Sequence, residues 1–141
     1  MTRIDFYLLK DTAGDGQSLF TCRLAEKALL QGHQIFINTS SARQLQQLDD
    51  LLWTFRAGSF LPHAIYDGAD TERLPVLLGY ASEPAVCNDV LVNLATDIPP
   101  YFCRFNRVAE LVGGEDAQRS AARQRYRYYQ DRGYTLKTHN L

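Results

Sequence analysis

The chain has 141 residues, a formal net charge of −1, 45% hydrophobic residues and 22% charged residues. This length and composition predict one soluble globular domain spanning residues 1–141 and exclude a general electrostatic attraction to nucleic acid. No apolar run reaches the roughly 18 to 20 residues that a membrane span requires, and the N-terminus lacks the features of a signal peptide, so we expect a cytoplasmic protein.

The cysteines and histidines predict neither a disulfide framework nor a metal site. The three cysteines are odd in number and form no CxxC pair, which is typical of reduced thiols. We expect Cys22 to pack inside a helix, and Cys87 and Cys103 to act as small buried hydrophobes. The three histidines lie far apart, without metal-ligand spacing. We therefore expect no metal and no cofactor.

The first half of the chain alternates between strand and helix patterns. The predicted elements are a strand over residues 3–9, a Gly- and Asp-rich loop over 10–17, a helix over 18–31, a strand over 34–39, and a helix capped by Ser40 or Ser41 with leucines at helical spacing. Strand, helix, strand and helix in this order are typical of an α/β fold with a parallel sheet.

The second half continues the pattern with shorter elements. The predicted elements are a loop over residues 56–73, strands over 76–80, 89–95 and 107–112, a first helical turn after Pro99 and Pro100, and a last helix over about 115–132 stopped by Gly133. Together the elements predict a single-domain, three-layer α/β fold, in which helices flank a mostly parallel sheet.

No motif in the chain predicts catalysis. The loop AGDGQS after the first strand lies where a nucleotide-binding protein would hold phosphate, but it has neither the GK[ST] of a phosphate loop nor a GxGxxG pattern. Asp11 and Asp15 add negative charge there, so a plain turn is favoured. Asp49 and Asp50 are adjacent on a helix and point about 100° apart, which favours a solvated face over a shared proton or metal. We expect no catalytic residue and no enzyme activity.

Large aromatic side chains cluster where the second helix ends. Trp53, Phe55 and Phe60 lie within a few residues of one another, at the helix end and in the loop. Such side chains either fill the edge of the core or anchor a partner protein. Composition alone favours core filling.

Residues 119–132, RSAARQRYRYYQDR, hold five arginines, three tyrosines and a single acid. At helical spacing, one stripe carries Arg119, Arg123, Tyr126 and Arg127, and the small and aromatic residues of the other side can face the sheet. Arginine binds carboxylate and phosphate groups in a bidentate manner, and tyrosine adds rigid apolar area. The stripe is either a docking surface for an acidic partner or a solvated charged face.

Several segments of the chain resemble the chi subunit of bacterial DNA polymerase III, an accessory protein of the clamp loader. They are FYLL at residues 6–9, LDDLLWTF at 48–55, SFLPH at 59–63, DVLVNL at 89–94 and RQRYRYYQDRGY at 123–134. The resemblance implies a non-catalytic α/β protein with a nucleotide-binding-like outline and no phosphate loop. The implied partners are the psi subunit, the acidic, phenylalanine-terminated tail of single-stranded DNA-binding protein and, in some bacteria, a helicase related to repair. DNA is then contacted only indirectly.

The resemblance also implies two binding surfaces. The tail site falls on Val112, Arg123, Tyr126 and Arg127, with Arg119 on the same stripe, and the surface for psi involves Trp53 and Phe60. Arg127 replaces a lysine of the best-known members, which keeps the charge and suits carboxylate capture. The loop over residues 64–73 differs from the family pattern. The alternative function is direct nucleic-acid binding through the C-terminal Arg/Tyr helix.

Overall fold

The computed structural model describes residues 2–10, 16–55, 61–67, 74–85 and 87–141. Its elements in chain order are β1 (Arg3–Leu8), α1 (Gly16–Leu30), β2 (Ile35–Asn38), α2 (Ala42–Thr54), β3 (His63–Ile65), β4 (Val76–Gly79), β5 (Val90–Asn93), a short 3-10 helix (Phe102–Arg104), β6 (Arg107–Val112), α3 (Asp116–Asp131) and β7 (Thr135–Asn140).

The seven described strands form one sheet in the order β3-β4-β2-β5-β6-β1-β7, and every neighbouring pair is parallel. Parallel neighbours require crossover connections, which are right-handed in nearly all proteins. The connections that step towards β3 carry α1 and α2 across one face, and the connection from β6 to β7 carries α3 across the other. This arrangement confirms the predicted three-layer α/β fold.

The two faces of the sheet bury different chemistry. Cys22, Ala25, Leu48 and Leu52 of α1 and α2 pack on an aliphatic face of the sheet. On the α3 side the buried residues are largely aromatic, and they include Phe6, Phe36, Phe102, Phe105 and Tyr129. Strands β2, β4 and β5 are buried at every position, because helices or connecting segments cover both of their faces.

The helix ends follow local chemistry. Gln44 donates its backbone N–H to the Ser41 hydroxyl at 3.0 Å, so Ser41 is the N-cap of α2. Gly32 and Gly133 adopt φ values of +80° and +79° just after α1 and α3, a conformation that glycine reaches without steric cost. The predicted cap at Ser41 and the predicted helix stop at Gly133 are confirmed, and Gly32 ends α1 in the same way.

The cysteine predictions hold for two of three residues. Cys22 and Cys87 are buried, but Cys103 is exposed. The prediction for Cys103 is wrong because it lies in the short 3-10 helix, where the neighbouring Phe102 takes the inward position and is only 5% exposed.

Two strands escape the sequence prediction. Strand β3 has three residues and falls within the predicted loop over residues 56–73, of which 56–60 and 68–73 lie outside the described residues. Strand β7, TLKTHN, is polar, and most of its residues are exposed, so it carries no apolar pattern. Both are edge strands, where one side of the strand meets no neighbour in the described sheet.

Strand β7 is fixed to the sheet by a buried carboxylate on β1. Asp5 is fully buried, and its Oδ1 lies 3.1 Å from His139 Nε2, while Arg107 Nε donates to Oδ2 at 2.8 Å. Burial raises the pKa of Asp5, but the hydrogen bonds from His139 and Arg107 and the charges of Arg107 and Arg3 hold it below its ordinary value. The ring of Tyr7 stacks on His139 at a centroid distance of 4.6 Å.

Helix α3 is fixed to the sheet by a second buried carboxylate. Glu110 on β6 is fully buried; Arg125 Nε donates to its Oε1 at 3.0 Å, and the Tyr129 hydroxyl donates to its Oε2 at 2.7 Å. Asn93 donates its Nδ2 to both oxygens at 3.1 Å, and Arg125 Nη1 also donates to the Thr96 carbonyl at 2.9 Å. Burial raises the pKa of Glu110, whereas Arg125, Tyr129 and Asn93 favour its ionised form.

This network corrects the expected orientation of α3. Ala122 and Tyr129 face the sheet as expected, but the charged Arg125 is buried with them at 7% exposure. Tyr128 was expected to face the sheet and instead is 36% exposed, with the Arg132 guanidinium 3.6 Å from its ring centroid. Glu110 accounts for the difference. Leaving its buried carboxylate without a cation would cost more free energy than burying Tyr128 against the sheet would gain.

Replacing Arg125 by methionine should destabilise the chain strongly, because the Glu110 carboxylate would remain buried without its cation. We expect a loss of about 3 to 5 kcal/mol in the free energy of unfolding, measured by urea denaturation. Arg127→Met is the matched control, since Arg127 is exposed on the same helix and its loss should cost at most about 0.5 kcal/mol. Equal losses for the two variants would show that the pair does not hold α3.

Candidate functional site

A cavity of about 150 Å³ opens between α3 and the strands beneath it, close to the β7 edge of the sheet. Three strands and the helix supply its walls. The lining residues are Phe6 and Leu8 of β1, Val112 of β6, Thr138 of β7, and Arg119, Ala122, Arg123 and Tyr126 of α3.

The floor of the cavity is apolar and rigid. Phe6, Val112 and Ala122 are exposed by 2%, 1% and 5%. Tyr126 is half-buried, and its ring lies 5.3 Å from that of Phe6 at an angle of 58°. Aromatic pairs at such distances stabilise each other beyond the area that they bury, so the wall formed by Tyr126 is held in place.

The rim of the cavity is cationic. Arg119 is half-buried and donates Nη2 to the carbonyl of Leu9 at 3.2 Å, which fixes the guanidinium beside the end of β1. Arg123 is exposed, and so is Arg127 one turn further along α3. Within the described part of the chain, no carboxylate pairs with Arg123 or Arg127. Both guanidinium groups are therefore available to an anionic ligand.

An apolar floor below a cationic rim suits a ligand that joins an aromatic ring to a carboxylate. A cavity of roughly 150 Å³ lined by apolar side chains is large enough to accept a benzene ring. Guanidinium groups bind carboxylate oxygens through charge-assisted and often bidentate hydrogen bonds. The C-terminal phenylalanine of a peptide presents both groups within one residue.

Four of the five residues expected to form the tail site line this cavity, namely Val112, Arg119, Arg123 and Tyr126. The fifth, Arg127, is exposed and does not belong to the lining. The sequence reading missed Phe6, Leu8, Ala122 and Thr138. Phe6 and Leu8 are two positions apart on β1 and so face the same side of the sheet, which the strand pattern alone could have indicated.

The second expected surface lies at the opposite edge of the sheet. Trp53, in the last turn of α2, is 54% exposed, and its ring centroid is 4.4 Å from that of His63 on β3. Core filling, which composition favours, is therefore wrong for Trp53. Phe55 is half-buried against the aliphatic core, and Phe60 lies outside the described residues.

Two further properties bear on the class of protein. Within the described ranges, no helix is both long and apolar enough to cross a lipid bilayer. The same residues contain no group of three or more histidine, cysteine or acidic side chains that could hold a metal ion. The loop AGDGQS, weighed above as a phosphate site, spans residues 13–18; residues 13–15 lie outside the described residues, and residues 16–18 belong to the first turn of α1.

Comparison with known proteins agrees with the resemblance seen in the sequence. The sequence model of the family described as DNA polymerase III chi subunit, HolC, matches residues 1–137. The DNA polymerase III subunit chi of Pseudomonas aeruginosa is 40% identical over 141 residues, covering 100% of this chain and 98% of that protein. Its counterpart in Escherichia coli K12 is 30% identical over 143 residues, covering 98% of this chain and 97% of that protein. The chain belongs to the DNA polymerase III chi subunit family.

Proposed function

We propose that this chain is a non-catalytic accessory subunit of the DNA polymerase III holoenzyme that acts in DNA replication. In this role it links the clamp loader, through a psi subunit, to the acidic C-terminal tail of single-stranded DNA-binding protein. The observation that carries the proposal is the cavity beside α3, because its apolar floor and arginine rim match an acidic peptide that ends in phenylalanine.

The peptide fits the cavity in one orientation. Its terminal ring enters the cavity beside Tyr126 and lies against the floor formed by Phe6 and Val112, and its terminal carboxylate meets Arg123 at the rim. The acidic residues that precede the phenylalanine then pass Arg127 on the exposed face of α3. Arg119, held by the Leu9 carbonyl one turn before Arg123 on α3, contributes a fixed positive charge to the lining.

A peptide of this kind binds weakly on its own. The tail is disordered before binding, so its ordering opposes association, and we expect a dissociation constant on the order of micromolar. Because the rim arginines are exposed, salt screens their attraction. Several tails carried on one strand of coated DNA would strengthen binding through effective concentration, without any further contact.

The psi subunit is assigned to the surface around Trp53. An exposed tryptophan at the end of a helix is the kind of aromatic anchor that dominates protein interfaces. Trp53 lies beside β3, whereas the cavity lies beside β7, so the two partners occupy opposite edges of the sheet. Both can then bind at once. A repair-related helicase that used the Trp53 surface would exclude psi.

Titration with a short acidic peptide ending in phenylalanine, followed by calorimetry, tests the tail site. Arg123→Ala should weaken binding roughly 10- to 100-fold, because a charge-assisted hydrogen bond to the carboxylate is lost. Tyr126→Ala should weaken it by removing one wall of the cavity. Arg43→Ala is the matched control, since Arg43 is an exposed arginine on α2, far from α3 in the sequence. A peptide amidated at its C-terminus should also bind weakly.

Unchanged affinity in both Arg123→Ala and Tyr126→Ala would place the tail elsewhere. A bare single-stranded oligonucleotide separates the two candidate functions, because the tail site predicts negligible binding of DNA to the free chain. Tight oligonucleotide binding that the same arginine substitution abolishes would instead support the alternative, direct nucleic-acid binding through the Arg/Tyr helix.

Replacing Trp53 by alanine should weaken capture of psi and leave affinity for the tail peptide unchanged. Because Trp53 is more than half exposed, its loss should change the melting temperature little. Phe60→Ala is expected to behave in the same way. The measurement is co-purification with psi alongside the peptide titration. Loss of both activities together with a lowered melting temperature would indicate a structural role for these aromatic residues.

A further inference from the structure

A cavity of about 590 Å³ lies at the carboxyl end of β2 and is separate from the cavity beside α3. Strand β2 lies between β4 and β5, and the segment that follows β2 leads to α2 on the aliphatic face of the sheet. The segments after β4 and β5 leave on the other face, where Cys87 and Tyr101 join the aromatic core. In open α/β sheets, ligands bind in the crevice where neighbouring connections diverge in this way.

The lining of this crevice is acidic and aromatic. Among the described residues that line it are Glu83 and Asp97, and none of them is a lysine or an arginine. Glu83 pairs with Arg104, which lies outside the lining, while no cation in the described chain pairs with Asp97. Tyr80 is 47% exposed and lines the crevice together with the apolar segment formed by Ile98, Pro99 and Pro100.

Two local features of the crevice reduce the stability of the fold, and a ligand-binding role would explain why they are present. Ala81, which follows Tyr80, has a φ of +52°, a left-handed conformation that a residue with a Cβ seldom adopts. Such strained backbone concentrates at binding sites, where the surrounding structure maintains it. Tyr101 is only 8% exposed, and its hydroxyl has no hydrogen-bond partner among the described residues. A buried hydroxyl without a partner remains able to donate or accept a hydrogen bond.

We propose that this crevice is a second docking site, which takes an arginine or lysine side chain from an extended segment of a partner protein. The choice of a cation follows from the charge of the lining, since Asp97 has no paired cation in the described chain, Glu83 already pairs with Arg104, and none of the described lining residues is a base. The exposed face of Tyr80 adds a cation–π contact, and the two prolines form an apolar wall for the aliphatic stem.

The same chemistry separates this site from the cavity beside α3. An acidic tail or a phosphate group is repelled by the unpaired carboxylate of Asp97, so neither is expected to compete for the crevice. Strands β2 and β1 are three positions apart in the sheet, which places the two sites roughly 15 Å from each other. The chain then offers a cationic site and an anionic site at once, and two partners of opposite charge can bind together.

Titration of the full-length ¹⁵N-labelled chain with acetyl-arginine methylamide tests the proposal by NMR. We expect saturable shifts at the backbone amides of Tyr80, Thr96 and Asp97, with a dissociation constant on the order of millimolar for so small a probe. Acetyl-glutamine methylamide, inorganic phosphate and adenosine should produce no saturable shift at these amides.

Two substitutions in the crevice should lower the affinity for the arginine probe, and a matched control should not. Tyr80→Ala should lower the affinity about two- to fivefold, which is the size of an exposed cation–π contact, and Asp97→Asn should lower it further. Asp50→Asn is the control, because Asp50 is an exposed acid on α2 that does not line the crevice. Any of three results would overturn the proposal: no saturable shift with the arginine probe, an affinity in Asp97→Asn equal to that of the unsubstituted chain, or binding of adenosine or phosphate at the crevice.

Discussion

The buried carboxylate of Glu110 is the constraint on which the position of α3, and therefore the cavity beside it, depends. Arg125 and Tyr129 are four residues apart on α3, so they lie on one side of the helix and meet the two oxygens of Glu110 together. This pairing fixes the rotation of α3 about its axis. With Arg125 turned inwards, Arg123 and Arg127 lie about 200° away and face solvent. Ala122 and Tyr126 are then left above Phe6 and Val112, where they complete the cavity.

The near-neutral net charge of the chain conceals a strong separation of charge. The exposed face of α3 and the rim of its cavity are cationic. The described residues that line the crevice at the end of β2 include two acids and no lysine or arginine. Glu110 contributes to this separation because its carboxylate pairs with Arg125 in the core. The charge of Arg125 is therefore balanced inside the protein, and the exposed arginines of α3 carry the positive charge of the surface. Local charge, rather than total charge, therefore determines which partners each surface accepts.

The fold and half of the residues that line the cavity could be predicted from the sequence, because their signals are local. Apolar runs marked five of the seven strands, and helical spacing brought Arg119, Arg123 and Tyr126 onto one stripe. Strand β7 was missed because its sequence is largely polar, and because its pairing with β1 and the contact between His139 and Asp5 join residues that are far apart in the sequence. Thr138 could not be assigned to the cavity without that strand. The burial of Arg125 was not predicted because its partner Glu110 lies 15 positions away, although an acid inside an apolar strand is itself a sign of a buried cation.

Under the proposed function, the cavity between α3 and strands β1, β6 and β7 receives the phenylalanine-terminated end of an acidic peptide. Chemical-shift mapping of the labelled chain with that peptide is the decisive experiment, because the method locates the ligand without any substitution. We expect the largest shifts at Val112, Ala122, Arg123, Tyr126 and Thr138, and no change at Trp53 and Tyr80. Shifts centred on Trp53 or on the crevice at the end of β2, with none at the α3 cavity, would contradict this proposal.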